Sequence, residues 1–243
     1  MIRASPFSID EYYHIYNRGT EKRDIFLDKA DYLRFLALLY ISNNTEAVHI
    51  SNLKEKGKSF RDIISLERKE LIVDIGVYCL MPNHFHLLVK EKMVGGISGF
   101  MKKISTGYSM YFNKRYERTG RLFEGTFKSV HANNDEYLKY LFAYIHLNPI
   151  KLTNPMWKEE GIKDNNKAES FLNEYEFSSY LDYSSNMENN RKRLESKILN
   201  KEVFPEYFLE QKDFDGFIND WLLCSPISRL NLDIGEQAKK WLT

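Results

Sequence analysis

A short connection between two apolar runs constrains the fold of this chain most strongly. Residues 71–80, Leu-Ile-Val-Asp-Ile-Gly-Val-Tyr-Cys-Leu, are rich in β-branched and apolar side chains and predict a strand. Residues 84–90 form a second such run, and Pro82-Asn83 lies between the two. Strands joined by so short a link pair antiparallel. The sequence therefore predicts an antiparallel hairpin here.

Further helices and strands are predicted around this hairpin. Residues 11–17 indicate a first strand that ends at the turn Arg18-Gly19, and residues 126–131 indicate a short last strand. Helices are predicted at 29–42, 97–114 and 135–147, with Asp28 and Asn134 as N-caps of the first and the last, and the polar stretch 43–70 is expected to be irregular with a short helix. This order predicts an α+β fold in which an antiparallel sheet of ferredoxin-like (RRM-like) plan is backed by helices.

Charge is distributed unevenly along the 243 residues. Residues 1–153 carry 23 Lys and Arg against 17 acidic residues, whereas residues 154–243 carry 12 against 17. Residues 90–130 are the most basic stretch, and aromatic side chains alternate with the charges there. This composition suits a phosphate backbone with bases stacked on rings, and it equally suits an amphipathic helix with a charged outer face.

Cellular location is predicted from the apolar segments and the cysteines. No apolar run approaches the roughly 20 residues needed to span a bilayer, and the segment Met1–Pro6 lacks the apolar core of a signal peptide. Cys79 and Cys224 lie far apart in apolar contexts, so buried free thiols are expected. We expect a cytoplasmic protein without a membrane partner.

Two histidines in the second hairpin strand are candidate metal ligands. His84 and His86 are two residues apart, so in a strand they share one face while Phe85 points to the other. Two imidazoles so placed hold a divalent metal when a third ligand arrives from elsewhere. The same pattern fits two polar residues on a solvated face, and the pair alone does not decide between these readings.

The helix predicted at 135–147 carries Tyr137, Tyr140 and Tyr144, and Asn148 follows one turn after Tyr144. Tyrosines and leucines at helical spacing are more often core residues than reactive groups. From spacing alone, Tyr144 is therefore read as structural.

Several motifs, taken in order, resemble the single-tyrosine HUH transposases. These are the small insertion-sequence transposases that act on single-stranded DNA and their REP-associated relatives, named for repetitive extragenic palindromes. The resemblance covers roughly residues 8–153. It rests on Tyr13-His14-Ile15-Tyr16-Asn17-Arg18-Gly19, Met81-Pro82-Asn83-His84-Phe85-His86-Leu87-Leu88, Tyr111-Phe112-Asn113-Lys114-Arg115-Tyr116, Thr119-Gly120-Arg121-Leu122-Phe123-Glu124-Gly125 and Tyr144-Ile145-His146-Leu147-Asn148-Pro149-Ile150-Lys151.

This resemblance implies a site and a reaction. Tyr144 would be the nucleophile, and His84, His86 and Asn148 would bind Mg²⁺ or Mn²⁺. The expected function is binding of DNA hairpins and cleavage and rejoining of single-stranded DNA through a covalent 5′-phosphotyrosine. The insertion-sequence members have glutamine where this chain has Asn148, which favours a REP-associated relative.

The expected partner is a single-stranded DNA hairpin, and a homodimer is possible.

Residues 1–153 are expected to form the catalytic domain and residues 154–243 a helical C-terminal extension. The resemblance to longer relatives implies that the Ser-Ser-Tyr element at 178–180 packs back. Residues 204–221 are expected to be amphipathic. Candidate phosphate-binding residues are Lys102, Lys103, Lys114, Arg115, Arg118 and Arg121.

Two alternative functions stay open at this stage. One is a hairpin-binding protein that keeps the fold but has lost nicking. The other is a metal-dependent nuclease whose histidines activate water.

Overall fold

A four-stranded antiparallel sheet forms the centre of the structure, a computed structural model that describes residues 7–46, 58–184, 193–204 and 211–223. The strands are β1 (Tyr12–Arg18), β2 (Val73–Met81), β3 (His84–Glu91) and β4 (Lys128–His131). The predicted hairpin is confirmed, because β2 and β3 pair antiparallel from Val73↔Glu91 to Met81↔His84. β1 pairs antiparallel with both β3 and β4, which gives the order β2-β3-β1-β4.

Two long helices cover one face of this sheet. They are α1 (Lys29–Ile41), between β1 and β2, and α3 (Gly96–Arg115), between β3 and β4. Their apolar side chains share a buried core with Ile15, Phe85 and Leu87 of the strands. The strand order and the two crossing helices confirm the predicted α+β, ferredoxin-like plan. The helix α2 (Phe60–Ile63) confirms the short helix predicted within the irregular stretch 43–70, of which residues 47–57 lie outside the described residues.

A third helix, α4 (Asp135–Leu147), packs on the opposite face of the sheet. Asn134 caps it by accepting a hydrogen bond from the Tyr137 N–H, as predicted. The helix ends where Pro149, which has no N–H to donate, starts a 3₁₀ turn over Asn148–Leu152. This helix carries the predicted tyrosine, so the face that it covers becomes the candidate active-site face.

The extension packs against α4 and the sheet. Its short helices are α5 (Trp157–Glu160), α6 (Asn165–Glu174) and α7 (Tyr180–Tyr183), its last helix is α8 (Gln211–Leu222), and two 3₁₀ turns lie at Leu194–Ile198 and Lys201–Val203. In α8 the buried side chains Phe214, Ile218 and Trp221 recur at helical spacing. This confirms the amphipathic pattern for the described part of 204–221, while residues 205–210 lie outside it.

The outer edge of β2 is covered by the Ser-Ser-Tyr element. The N–H of Leu80 donates to the Phe177 carbonyl, and the N–H of Ser179 donates to the Tyr78 carbonyl. The Ser179 hydroxyl accepts from the N–H of Tyr78 at 3.0 Å. These bonds satisfy edge groups that would otherwise offer a template for another strand, and they confirm that the element packs back, here onto the sheet.

Three further predictions concern cysteines, membranes and domain limits. Cys79 is a buried free thiol, as predicted, and Cys224 lies outside the described residues. No helix in the described parts of the chain is long and apolar enough to cross a bilayer. The division into 1–153 and 154–243 stays a prediction, because both parts contribute side chains to one core around α4.

Candidate active site

The sheet face under α4 collects polar side chains from β1 and β3. Tyr16 pairs with His86 and Arg18 pairs with His84, and directly opposite residues in a sheet point to the same face. His84 and His86 therefore share one face, as predicted, and their ring centroids are 4.9 Å apart. His14 lies on the same face two residues before Tyr16.

Tyr144 projects from α4 onto these histidines. Its ring centroid lies 5.6 Å from that of His86 and 6.1 Å from that of His14, edge to face in both cases. Tyr137 stacks on Tyr140 and Tyr140 stacks on Tyr144, so the three rings form one row along the helix. The structure thus brings Tyr144 and the His84/His86 pair together within a single chain, over about 60 residues of sequence separation.

The phenol of Tyr144 is almost fully buried, with 4% of its surface exposed. Burial raises its pKa to about 12, while the Asn148 amide and the positive charge of Lys151 oppose this rise. The phenol is therefore protonated at neutral pH in the isolated protein. An additional positive charge at the site would favour the phenolate.

Asparagine 83 fixes the orientation of His84. The side-chain oxygen of Asn83 is 2.5 Å from Nδ1 of His84, and its Nδ2 donates to the Lys22 carbonyl. An amide oxygen only accepts, so Nδ1 of His84 carries a proton. In the neutral ring the lone pair is then on Nε2, the atom through which a metal would be bound.

Asn148 fits the third ligand position by its chemistry. It is 1% exposed, and its amide interacts with the Tyr144 phenol, so it lies beside that side chain. Its Oδ1 is an oxygen donor of the kind that Mg²⁺ and Mn²⁺ bind. Among the described residues, no three His, Cys, Asp or Glu side chains are grouped to hold a metal. Two imidazoles and an amide oxygen suit Mg²⁺ or Mn²⁺ with positions left for phosphate and water.

The predicted phosphate-binding residues lie on and after α3, which covers the opposite face of the sheet. Three of them make contacts within the protein: Arg115 pairs with Asp28 and Asp31, Arg118 donates to the Asn113 side chain, and Lys103 donates to the Asn44 carbonyl. Lys102, Lys114 and Arg121 are exposed. Contact with DNA stays a prediction for all six.

Other basic side chains lie on the active-site face, and sequence reasoning missed their position. Arg18 is the strand partner of His84, and Lys128 of β4 is the strand partner of Tyr16. Glu124 binds the Arg18 guanidinium through both carboxylate oxygens, at 2.9 and 3.3 Å. The alternation of β1 places Arg18 on the same face as His14 and Tyr16. Alternation does not show which face of the sheet α4 covers.

Tyr108, Tyr111 and His146 make contacts within the fold. Tyr108 donates to the Ile25 carbonyl, and Tyr111 donates to Asp31 at 2.9 Å. His146 is fully buried on the far side of α4 from Tyr144, with Nε2 2.9 Å from the Ser179 hydroxyl. Burial lowers the pKa of His146 to about 3, so it is a neutral packing residue.

Comparison with known proteins identifies the family. The model of the family described as "Transposase IS200 like" matches residues 10–148, which is more than half of the chain. The chain belongs to this family. The matched range begins two residues before β1 and ends at Asn148, so it contains every residue of the candidate active site of this IS200-like transposase.

Comparison with solved structures returned "Structure of the REP associates tyrosine transposase bound to a REP hairpin". That protein is 12% identical, the match covers 75% of this chain and 84% of the other, and the TM-score is 0.46. No curated protein sequence matches this IS200-like chain.

Proposed function

We propose that this IS200-like transposase nicks and rejoins single-stranded DNA, with Tyr144 as the nucleophile. The observation that carries the proposal is the approach of the Tyr144 ring to His86, at 5.6 Å between centroids, on a sheet face that also presents His84. A nucleophile beside a pair of candidate metal ligands suits metal-dependent phosphoryl transfer. Family membership supports a role on DNA.

The metal would be held by His84, His86 and Asn148. A metal held there would polarise a non-bridging oxygen of the scissile phosphate. Its positive charge would also favour the phenolate of Tyr144, whose pKa burial raises to about 12. Lys128 adds a positive charge on the same sheet face, whereas the charge of Arg18 is paired with Glu124.

The transfer step conserves the phosphodiester. The Tyr144 oxygen forms a bond to phosphorus, the bond from phosphorus to the 3′ oxygen breaks, and the proton lost by the phenol is balanced by the proton gained at the 3′ oxygen. The products are a 5′-phosphotyrosine and a free 3′-hydroxyl. Attack by the 3′-hydroxyl of another strand reverses the step without ATP.

The substrate follows from the resemblance in the motifs. We propose a single-stranded DNA hairpin, bound partly through exposed basic residues such as Lys102 and Lys114. Because Tyr144 and the His84/His86 pair belong to one chain, a homodimer is not needed to bring them together; a dimer stays a prediction.

Labelled hairpins from the DNA around the gene, incubated with protein and Mg²⁺ or Mn²⁺, test this proposal on denaturing gels before and after protease. We expect a protein-linked band that Tyr144→Phe, His84→Ala or EDTA abolishes. Tyr140→Phe is the matched control, because Tyr140 lies one turn earlier and is also buried.

Two outcomes contradict the proposal. Cut DNA without a protein adduct indicates a nuclease that activates water. Hairpin binding without cleavage in either metal, unchanged by Tyr144→Phe, indicates a binding protein that has lost nicking.

A further inference from the structure

A third histidine contacts the predicted ligand His86. Nε2 of His14 lies 2.8 Å from Nδ1 of His86, and the two rings stack with centroids 5.0 Å apart. Both side chains are buried, with 4% and 6% of their surfaces exposed. The distance is that of a strong hydrogen bond between two imidazoles.

The position of His14 is fixed by two strand ladders. β1 lies between β3 and β4, and His14 is paired with Leu88 on one side and Val130 on the other. His86 is two residues before Leu88, so His14 and His86 are diagonal neighbours on the active-site face. The contact is therefore set by the register of the sheet rather than by a mobile loop.

Only one arrangement of the shared proton leaves His86 able to bind a metal. If His86 carries its proton on Nδ1 and donates to His14, its Nε2 holds a lone pair directed away from His14. If His14 donates instead, neutral His86 carries its proton on Nε2 and has no lone pair there. His84 meets no such choice, because its partner atom is Oδ1 of Asn83, which can only accept.

We propose that His14 is a positioning residue of the active site, which accepts the Nδ1 proton of His86 and holds that ring ready to bind a divalent metal through Nε2. The proposal rests on the proposed function, since it concerns a metal at His84, His86 and Asn148. Partners of this kind orient ligand histidines and raise their basicity, and their loss typically weakens metal binding about 10- to 100-fold.

Two substitutions separate positioning from packing. His14→Phe keeps a planar ring but removes the acceptor, and His14→Gln restores a side-chain oxygen that can accept from His86. Titration of the DNA-free protein with Mn²⁺, followed by the EPR signal of free Mn²⁺, gives the affinity of each variant. We expect His14→Phe to bind about 10- to 100-fold more weakly than the wild type and His14→Gln to recover most of the loss. Equal affinity in His14→Phe and the wild type overturns the proposal.

The tautomer of His86 is measured independently of any metal. Long-range ¹H–¹⁵N correlation spectra of histidine-labelled wild-type protein report which ring nitrogen is protonated. We expect the proton of His86 on Nδ1, and a proton on Nε2 overturns the role of His14 even if the enzyme cleaves DNA. Failure of the proposed metal site gives a different result from failure of the role of His14. In that case His84→Ala binds Mn²⁺ as tightly as the wild type does, and the tautomer of His86 is unchanged.

Discussion

Replacing Asp31 by Asn is predicted to destabilise the fold strongly, although the change adds no bulk. Asp31 is fully buried in the first turn of α1. Its carboxylate accepts four hydrogen bonds of 2.8 to 2.9 Å, from the Leu27 N–H, the hydroxyls of Tyr111 and Tyr116, and the Arg115 guanidinium. This one side chain ties the start of α1 to the end of α3.

The magnitude follows from these contacts. Each hydrogen bond to a charged group contributes about 1.5–3 kcal/mol, but Arg115 keeps Asp28 as a partner, and the partly buried hydroxyls of Tyr111 and Tyr116 regain water. We therefore expect a loss of about 3–5 kcal/mol in the free energy of unfolding, the range for breaking a buried ion pair.

Urea unfolding at pH 7, followed by circular dichroism, measures this loss. Asp28→Asn is the matched control, because Asp28 also pairs with Arg115 but its side chain is 48% exposed, and its asparagine can still cap the helix. We expect the control to lose about 1 kcal/mol or less. A similar small loss for Asp31→Asn would refute the assignment of this network to stability.

Three further predictions concern the extension and the basic surface. Burial raises the pKa of Asp182 to about 6 despite Arg193 nearby. Between about pH 4 and pH 6 the folded state therefore holds a proton that the unfolded chain has released. The free energy of unfolding should fall by about 3 kcal/mol as the pH rises from about 4 to about 6; Asp182→Asn should remove this slope, and an unchanged slope contradicts the assignment. Phe214→Ala should lower the free energy of unfolding by about 3–5 kcal/mol in a single urea transition, because Phe214 is fully buried against the rings of His146 and Tyr183; two transitions would show that α8 unfolds separately. Lys102→Ala with Lys114→Ala should reduce the salt dependence of hairpin binding by about one to two counterions, and an unchanged slope in a salt titration places the hairpin elsewhere.

The fold was predictable where local patterns and topology agree. Strand alternation, the short Pro82-Asn83 link and the caps Asp28 and Asn134 each specify an element from neighbouring residues alone. With these elements in order, few arrangements of a four-stranded sheet remain, and the ferredoxin-like one was correct. That the Ser-Ser-Tyr element packs back was predicted only from the resemblance. Nothing in the local pattern of 177–179 specifies β2, about 100 residues earlier, as its partner.

The candidate site was only partly predictable. The spacing of His84 and His86 places both on one face, but Tyr144 read from spacing alone looked like a core residue, and only the resemblance favoured a reactive role. Conversely, Arg115 was predicted to bind DNA phosphates, whereas in the structure its charge is paired with Asp28 and Asp31. Whether a charged side chain is paired or exposed depends on contacts distant in sequence, which no local pattern records.

The residue of the protein that becomes linked to DNA identifies the nucleophile. Wild-type protein is incubated with a cleaved hairpin and Mn²⁺, digested with trypsin, and sequenced by tandem mass spectrometry. We predict a nucleotide phosphate attached to Tyr144 in the peptide that continues through Asn148. Attachment to Tyr140 or to any other residue, or cleavage without a modified peptide, would contradict it.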